Sequence, residues 1–253
     1  MARSLPLKAD PAAQLALLDL QAIDARVDVL RHQRRSLPEL AEIAALQESR
    51  AGFDAQRRDA QIMVDDLTAE QAKVDADVEQ VKVRRTRDRD RMDQGLISNP
   101  KDLERMQGEL ESLERRITSL EDEELEVMAR LEDAQKDLDS YLAQVAAADE
   151  RLAALCATRD EKLGVLDAEL ASLDAERRPA AEGLPADLLA LYDKLRESKG
   201  GVGAALLRAR ECSGCRLTLD AHEIGEIRAM PDDTVYRCEE CQRILVRTAE
   251  SGL

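Results

Sequence analysis

Apolar residues recur at alternating steps of three and four through most of positions 101–178, and few folds can accept that spacing. Leu103, Met106, Leu110, Leu113, Ile117 and Leu120 begin the series. Val127, Leu131, Ala134, Leu138, Tyr141, Val145, Ala148, Leu152 and Leu155 continue it, with Glu124 as the one interruption. A helix of 3.6 residues per turn gathers such positions on one narrow stripe, and a stripe this long is buried only along another long helix. After one slip in register Leu163, Leu166, Leu170 and Leu173 resume the steps, a local unwinding rather than a break. Pro179, which has no N–H to give, is expected to end the helix.

The partner lies upstream. Asp10-Pro11 offers an N-cap and a first-turn proline, and Ala13, Ala16, Leu20, Ile23, Val27 and Leu30 follow at helical spacing. Ser36-Leu37-Pro38-Glu39 interrupts this helix, with Ser36 and Glu39 at capping-box spacing. A second helix then runs to about Arg91, with Leu46, Phe53, Ala60, Leu67, Val74 and Val81 every seven residues. Around 92–100 the chain reverses: Gly95 tolerates unusual dihedrals, and Asn99-Pro100 can cap and start a new helix. The arms, about 13–92 and 101–178, are nearly equal in length, as an antiparallel hairpin requires. Each would extend on the order of 115 Å. Pairing of arms from two chains in a dimer is the alternative; matched lengths favour a monomeric hairpin and leave further association open.

The expected fold class is therefore mainly α, a long antiparallel coiled-coil hairpin over 1–180, followed by a small C-terminal domain over 181–253. One Phe, three Tyr and no Trp leave too little large apolar surface for a thick core, and 36% charged residues suit solvated helices. The formal net charge of −16 repels nucleic acid and anionic membranes, so any such binding needs a local basic patch. No stretch approaches the ~18 apolar residues of a membrane span, and Met1-Ala2-Arg3-Ser4-Leu5-Pro6 lacks a signal-peptide core. The expected location is cytoplasmic, where closely spaced cysteines are metal ligands rather than disulfides.

Gly183-Leu184-Pro185 breaks the pattern before a short amphipathic helix, Ala186 to Glu197, with Leu188, Leu191, Tyr192 and Leu195 on its buried side. A strand-like run, Val202 to Arg208, leads to Cys212-Ser213-Gly214-Cys215, and Cys238-Glu239-Glu240-Cys241 follows 22 residues after that pair. Two intervening residues let a tight turn aim both sulfurs at one ion, and two such turns complete a tetrahedron. Gly214 suits the turn. Cys212, Cys215, Cys238 and Cys241 are thus expected to hold one structural Zn2+, with rubredoxin-like iron and thiol redox chemistry as alternatives. His222 reads as an ordinary surface or packing histidine, and Cys156 as a small buried hydrophobe of the coiled coil.

These segments together resemble a known family. Val202-Gly203-Ala204-Ala205-Leu206-Leu207, His222-Glu223-Ile224-Gly225-Glu226-Ile227 and Cys238-Glu239-Glu240-Cys241-Gln242-Arg243-Ile244-Leu245-Val246 look like the bacterial coiled-coil plus C4-type zinc-ribbon family. Asn99-Pro100-Lys101-Asp102-Leu103-Glu104-Arg105-Met106-Gln107-Gly108-Glu109-Leu110 resembles its hairpin-tip motif, with Pro100 where a charged residue is usual. The resemblance implies a helical hairpin, a small ribbon and bound zinc, and no catalytic activity. It also implies nucleic-acid binding or, as for members linked to flagella or secretion, protein partners.

Two binding functions follow. Nucleic acid could be held by Lys82, Arg84, Arg85, Arg87, Arg89 and Arg91 before the turn and Lys101 and Arg105 after it. Asp88 and Asp90 interrupt that run, and from 208 to 247 seven arginines face eight acidic residues, with Tyr236 the only aromatic. The second function, modestly favoured, is a scaffold that presents the ribbon and hairpin tip to protein partners. An enzyme fits worst: the chain has no Gly-rich phosphate loop, no nucleophile motif and two histidines far apart.

Overall fold

The computed structural model describes residues 7–253, so the opening segment Met1 to Pro6 lies outside the described residues. The elements run α1 (Pro11–Arg35), α2 (Pro38–Asp93), α3 (Pro100–Glu182), α4 (Ala186–Ser198), β1 (Ala204–Arg208), β2 (Glu211–Cys212), α5 (Ala221–Ala229), β3 (Tyr236–Arg237) and β4 (Ile244–Val246). They group into two compact units, one of 1–40 with 157–253 and one of 41–156.

In the second unit α2 and α3 pair antiparallel, as the seam periodicity requires. Val64, Leu67, Ala134 and Leu138 form one stretch of core, and Val74, Val78 and Leu120 form another. Ion pairs across the arms keep the register: Arg50 with Asp149 at 2.6 Å, Arg130 with Glu70 at 3.3 Å, Lys82 with Glu121 at 2.7 Å and Arg85 with Glu114 at 2.8 Å. The reversal occupies 94–99. Gly95 takes φ +67°, and the Asn99 side chain accepts from the Lys101 N–H at 3.0 Å, so that Pro100 opens α3. Tyr141 and Cys156, expected within the seam, are only half-buried.

In the first unit one core joins helices and sheet: Leu17 and Leu20 of α1, Leu188, Tyr192 and Leu195 of α4, Ala204 of β1 and Ile244 and Val246 of β4. Ala181 and Leu184 belong to it too, so a continuous core runs across position 180. Three details differ from expectation. First, α3 passes through Pro179 and ends at Glu182: proline in a last turn forfeits a single bond, its carbonyl still accepts from Gly183 at 3.1 Å, and continuing the helix buries Ala181. Second, the Ser36 hydroxyl turns back to the His32 carbonyl at 2.9 Å instead of capping α2, and Glu39 pairs with Lys162 of α3. Third, the buried face of α1 carries polar groups. Gln14, Gln21 and Asp24 are buried beside Leu17, Leu20 and Val27, whereas Ala13, Ala16, Ile23 and Leu30 are half-buried.

Each of those polar groups is satisfied, as burial demands. Gln14 donates to the carbonyls of Ala9 and Asp232, and Gln21 donates to Gly201 while accepting from the N–H groups of Gly203 and Ala204. Asp24 receives Arg177 of α3 at 2.7 and 3.3 Å and the Tyr192 hydroxyl of α4 at 2.8 Å. Arg196 lies at an ion-pair distance of 3.5 Å from Asp24 and donates to Asp28 at 2.7 Å. Burial, and then the Asp24 carboxylate beside it, push the Tyr192 phenol far above its ordinary range, so it stays a neutral donor. The segment before α1 also reaches the ribbon: Ala9 N–H donates to Asp233 and Val235 N–H to Leu7.

Candidate metal centre

The sheet has the order β2-β1-β4-β3, with β1 and β4 parallel and the two outer pairs antiparallel. Parallel pairing of β1 with β4 sets the two C-x-x-C turns side by side. Cys212 ends β2 and Cys215 follows it; Cys238 follows β3 and Cys241 precedes β4.

Both turns have the same geometry. In each, the residue after the second cysteine adopts a left-handed conformation, Arg216 with φ +62° and Gln242 with φ +66°. Its N–H donates back to the carbonyl of the first cysteine, Arg216 to Cys212 at 2.7 Å and Gln242 to Cys238 at 2.8 Å. Gly214, expected to suit the turn, has no positive φ and serves it through space, because a Cβ there would meet the Arg243 side chain at 2.7 Å and Ala205 at 3.0 Å.

The four sulfurs all lie within 4.8 Å of one another. Cys212 Sγ is 3.8 Å from Cys241 Sγ, and Cys215 Sγ is 3.9 Å from Cys238 Sγ. A tetrahedron with Zn–S bonds of ~2.3 Å has edges of about 3.8 Å, so the donor set fits one zinc ion. Four thiolates close the shell and leave no position for an activated water.

The surroundings tune the thiols unevenly. Burial pushes Cys212 up to about 11 and moves Cys238 upward as well. Burial acts on Cys241 too, but hydrogen bonds from the Arg243 backbone and side chain outweigh it and hold this thiol down at about 7. Arg243 is itself fixed by the carbonyls of Val202 at 2.9 Å and Lys199 at 2.8 Å. Over the site, α5 packs Ile224 and Ile227 into a core with Leu207, Leu219, Tyr236 and Leu245. Buried Glu223 accepts from the Tyr236 hydroxyl at 3.1 Å and the Glu239 N–H at 3.3 Å, which ties α5 to the second turn. His222 is an exposed residue of α5 beside Glu226, away from the ligand set.

The expected basic cluster is differently placed. Lys82, Arg84, Arg85 and Arg87 are engaged within the chain: Lys82 with Glu121, Arg84 with Glu109 and Asp88, Arg85 with Glu114, and Arg87 with Asp88. Arg105 pairs with Asp102. Among the described residues Arg89, Arg91 and Lys101 have no ion-pair partner. Sequence reasoning missed the positioning residues Arg243, Glu223 and Arg247. The last donates to the carbonyls of Ile227, Met230, Pro231, Asp232 and Thr234 and so closes the end of α5.

Comparison with known proteins agrees with this framework. The description "CT398-like coiled coil hairpin domain" matches residues 20–200, and "C4-type zinc ribbon domain" matches residues 212–245. An uncharacterised protein of Mycobacterium tuberculosis strain H37Rv is 33% identical over 243 residues, covering 95% of this chain and 98% of that protein. A structure from Mycobacterium smegmatis superposes with a TM-score of 0.83 at 33% identity, covering 96% of this chain and all of that one. CT398 from Chlamydia trachomatis shares the fold with a TM-score of 0.71 at 17% identity, covering 94% of this chain and 98% of that one.

Proposed function

The chain belongs to the CT398-like coiled-coil hairpin family and carries a C4-type zinc ribbon, and on that footing we propose that it is a non-enzymatic, zinc-stabilised adaptor for protein partners. The observation that carries this reading is the internal use of its cations. Five of the eight basic residues around the turn are held by carboxylates of the same chain, and Arg243 and Arg247 of the ribbon are bound to backbone carbonyls. Phosphate binding by these eight residues would have to break those pairs or rely on Arg89, Arg91 and Lys101.

Three cations at the turn release about three counterions, a shallow salt dependence of log K and weak binding there at physiological salt. With a net charge of −16 the rest of the surface works against a polyanion. A closed thiolate shell supports a structural role for the metal. Reduced cysteine ligands suit the cytoplasm, and no helix among the described residues is long and apolar enough to cross a membrane.

Affinity capture from a native extract with and without nuclease tests the reading. Partners retained in equal amount after nuclease are expected. Loss of all bound material with nuclease, together with steep salt dependence of binding to a labelled single-stranded RNA, would replace it by nucleic-acid binding through the turn. In that case charge reversal of Arg89, Arg91 and Lys101 would abolish the binding.

A further inference from the structure

Within the second unit a groove runs along one side of the α2/α3 seam. Ala60, Met63 and Leu67 of α2 line it from one arm and Ala134 and Tyr141 of α3 from the other. On α2 the lining positions Gln56, Ala60, Met63 and Leu67 lie three or four residues apart, one stripe about 16 Å long. The groove exists because the seam is thin here: alanines at 60 and 134 face it where longer side chains would cover it.

Two side chains separate this groove from ordinary surface. Met63 is 52% exposed beside the buried Val64, and neighbouring Ile62 is 58% exposed. Single exposed apolar residues are common, but a flexible thioether over an apolar floor is a surface that adapts to other side chains. Tyr141 is the second. The other two tyrosines, Tyr192 and Tyr236, are buried with their hydroxyls on carboxylates, whereas the Tyr141 hydroxyl has no hydrogen-bond partner among the described residues. An amphipathic ring half-open on a groove is the kind of anchor that interfaces favour.

The charge around the groove names its occupant. Its rim carries Asp59, Asp133 and Asp137 against a single cation, Arg130, which is already paired with Glu70. Asp59 and Asp137 have no cationic partner among the described residues. The imbalance extends along both arms: residues 41–80 hold ten acidic and four basic side chains, and residues 117–156 hold eleven and three, whereas residues 81–116 around the turn hold eight and ten. An acidic rim over an apolar floor repels a nucleic acid and an acidic helix alike, and it attracts a helix with an apolar stripe between lysines or arginines.

We propose that this groove, centred on Met63 and Tyr141, docks a basic amphipathic helix of a partner protein as a third strand against the coiled coil. The inference rests on the adaptor reading above and gives it a surface and a partner chemistry. Three to four turns of such a helix match the length of the groove, and helix-in-groove packing reads the partner through its i, i+3, i+4 and i+7 side chains.

The test uses the zinc-loaded full chain and fluorescein-labelled synthetic helices of about 18 residues, roughly five turns. One has a leucine stripe flanked by lysines, one the same stripe flanked by glutamates, and one the composition of the first with the stripe scrambled. The first is expected to bind, the others at least about tenfold more weakly. Met63→Glu and Tyr141→Ala should each weaken the first at least about tenfold with helix content unchanged. Equal binding of all three peptides, binding untouched by Met63→Glu, or displacement of the peptide by single-stranded RNA would overturn the proposal. Absence of peptide binding would also overturn it, even where nuclease-resistant protein capture upholds the adaptor reading, so the two fail separately.

Discussion

Asp24 is 1% exposed and holds three elements together, so it offers a quantitative test of how the first unit is built. The mildest perturbation is Tyr192→Phe, which deletes a 2.8 Å hydrogen bond from a fully buried hydroxyl to the carboxylate and leaves the packing in place. A bond to a charged acceptor contributes about 1.5–3 kcal/mol. Asp24 retains Arg177 at 2.7 and 3.3 Å, so no charge is orphaned, and the expected cost is about 2 kcal/mol. Asp24→Asn is harsher. It leaves Arg177 and Arg196 without their shared buried counter-charge, a change that in buried pairs costs about 3–5 kcal/mol. Here each arginine keeps a second carboxylate, Asp193 at 3.2 Å and Asp28 at 2.7 Å, and Arg177 is 29% exposed, which places the cost at the low end, about 3 kcal/mol. Because Asp24→Asn replaces the carboxylate by a neutral amide and so weakens the hydrogen bond that Tyr192→Phe removes, the double variant should cost about 1 kcal/mol less than the two singles together. Native-state hydrogen exchange of the α4 amides reads these free energies locally, without relying on cooperative unfolding of the whole chain. A Tyr192→Phe variant within about 0.5 kcal/mol of the parent, or strict additivity in the cycle, would refute the idea that Asp24 couples α1, α3 and α4.

Three further outcomes follow from the ribbon. Cys238→Ser should lose the ion and, because the ribbon shares a core with Leu17, Leu20 and Leu188, should deprotect amides of α1 and α4 while those of 41–156 keep their exchange rates; unchanged protection of α1 and α4 would contradict the shared core. Burial holds Cys212 up at about 11 and raises Cys238 further, so both are protonated at neutral pH in the metal-free chain. Zinc binding at pH 7 must then release at least two protons, and affinity should fall at least about 100-fold for each unit of pH lost; calorimetry in buffers of different ionisation enthalpy measures this, and release of fewer than two protons would be inconsistent with the buried thiols. Arg216→Val, a β-branched residue forced to φ +62°, should destabilise the loaded ribbon by about 1–2 kcal/mol, read as earlier zinc release in urea, whereas Arg216→Gly should not; equal behaviour of the two would mean the left-handed position carries no strain.

Much of this architecture was legible because it depends on period and punctuation. The three-four steps from Leu103 onward, the Gly95 and Asn99-Pro100 reversal and the paired C-x-x-C turns each leave a signal in few residues, and those residues do what their chemistry allows. The misreadings have a common cause: tertiary contacts overrode a local rule. Pro179 is kept inside α3 because Ala181 beyond it is buried. Gln21 and Asp24 look like a solvated face of α1, and nothing local reveals that Gly201, Gly203, Arg177 and Tyr192, all more than 150 residues away, will satisfy them. The left-handed Arg216 and Gln242 carry no signal either, since neither residue type favours that conformation; only the identical position after each second cysteine could have suggested it. In the basic run from Lys82 to Arg91 the interruption by Asp88 was legible, but the pairing of Lys82, Arg84 and Arg85 was not, because Glu121, Glu109 and Glu114 lie on the other arm.

The central claim is that four cysteine sulfurs, and nothing else, hold one metal ion in the ribbon. Zinc K-edge absorption spectroscopy of the full chain, purified without chelators, measures the shell directly. One zinc per chain with four sulfur scatterers at about 2.3 Å is the expected result. A nitrogen or oxygen atom in the shell would contradict the closed structural site, and protein that is folded but free of stoichiometric zinc would contradict the account as a whole.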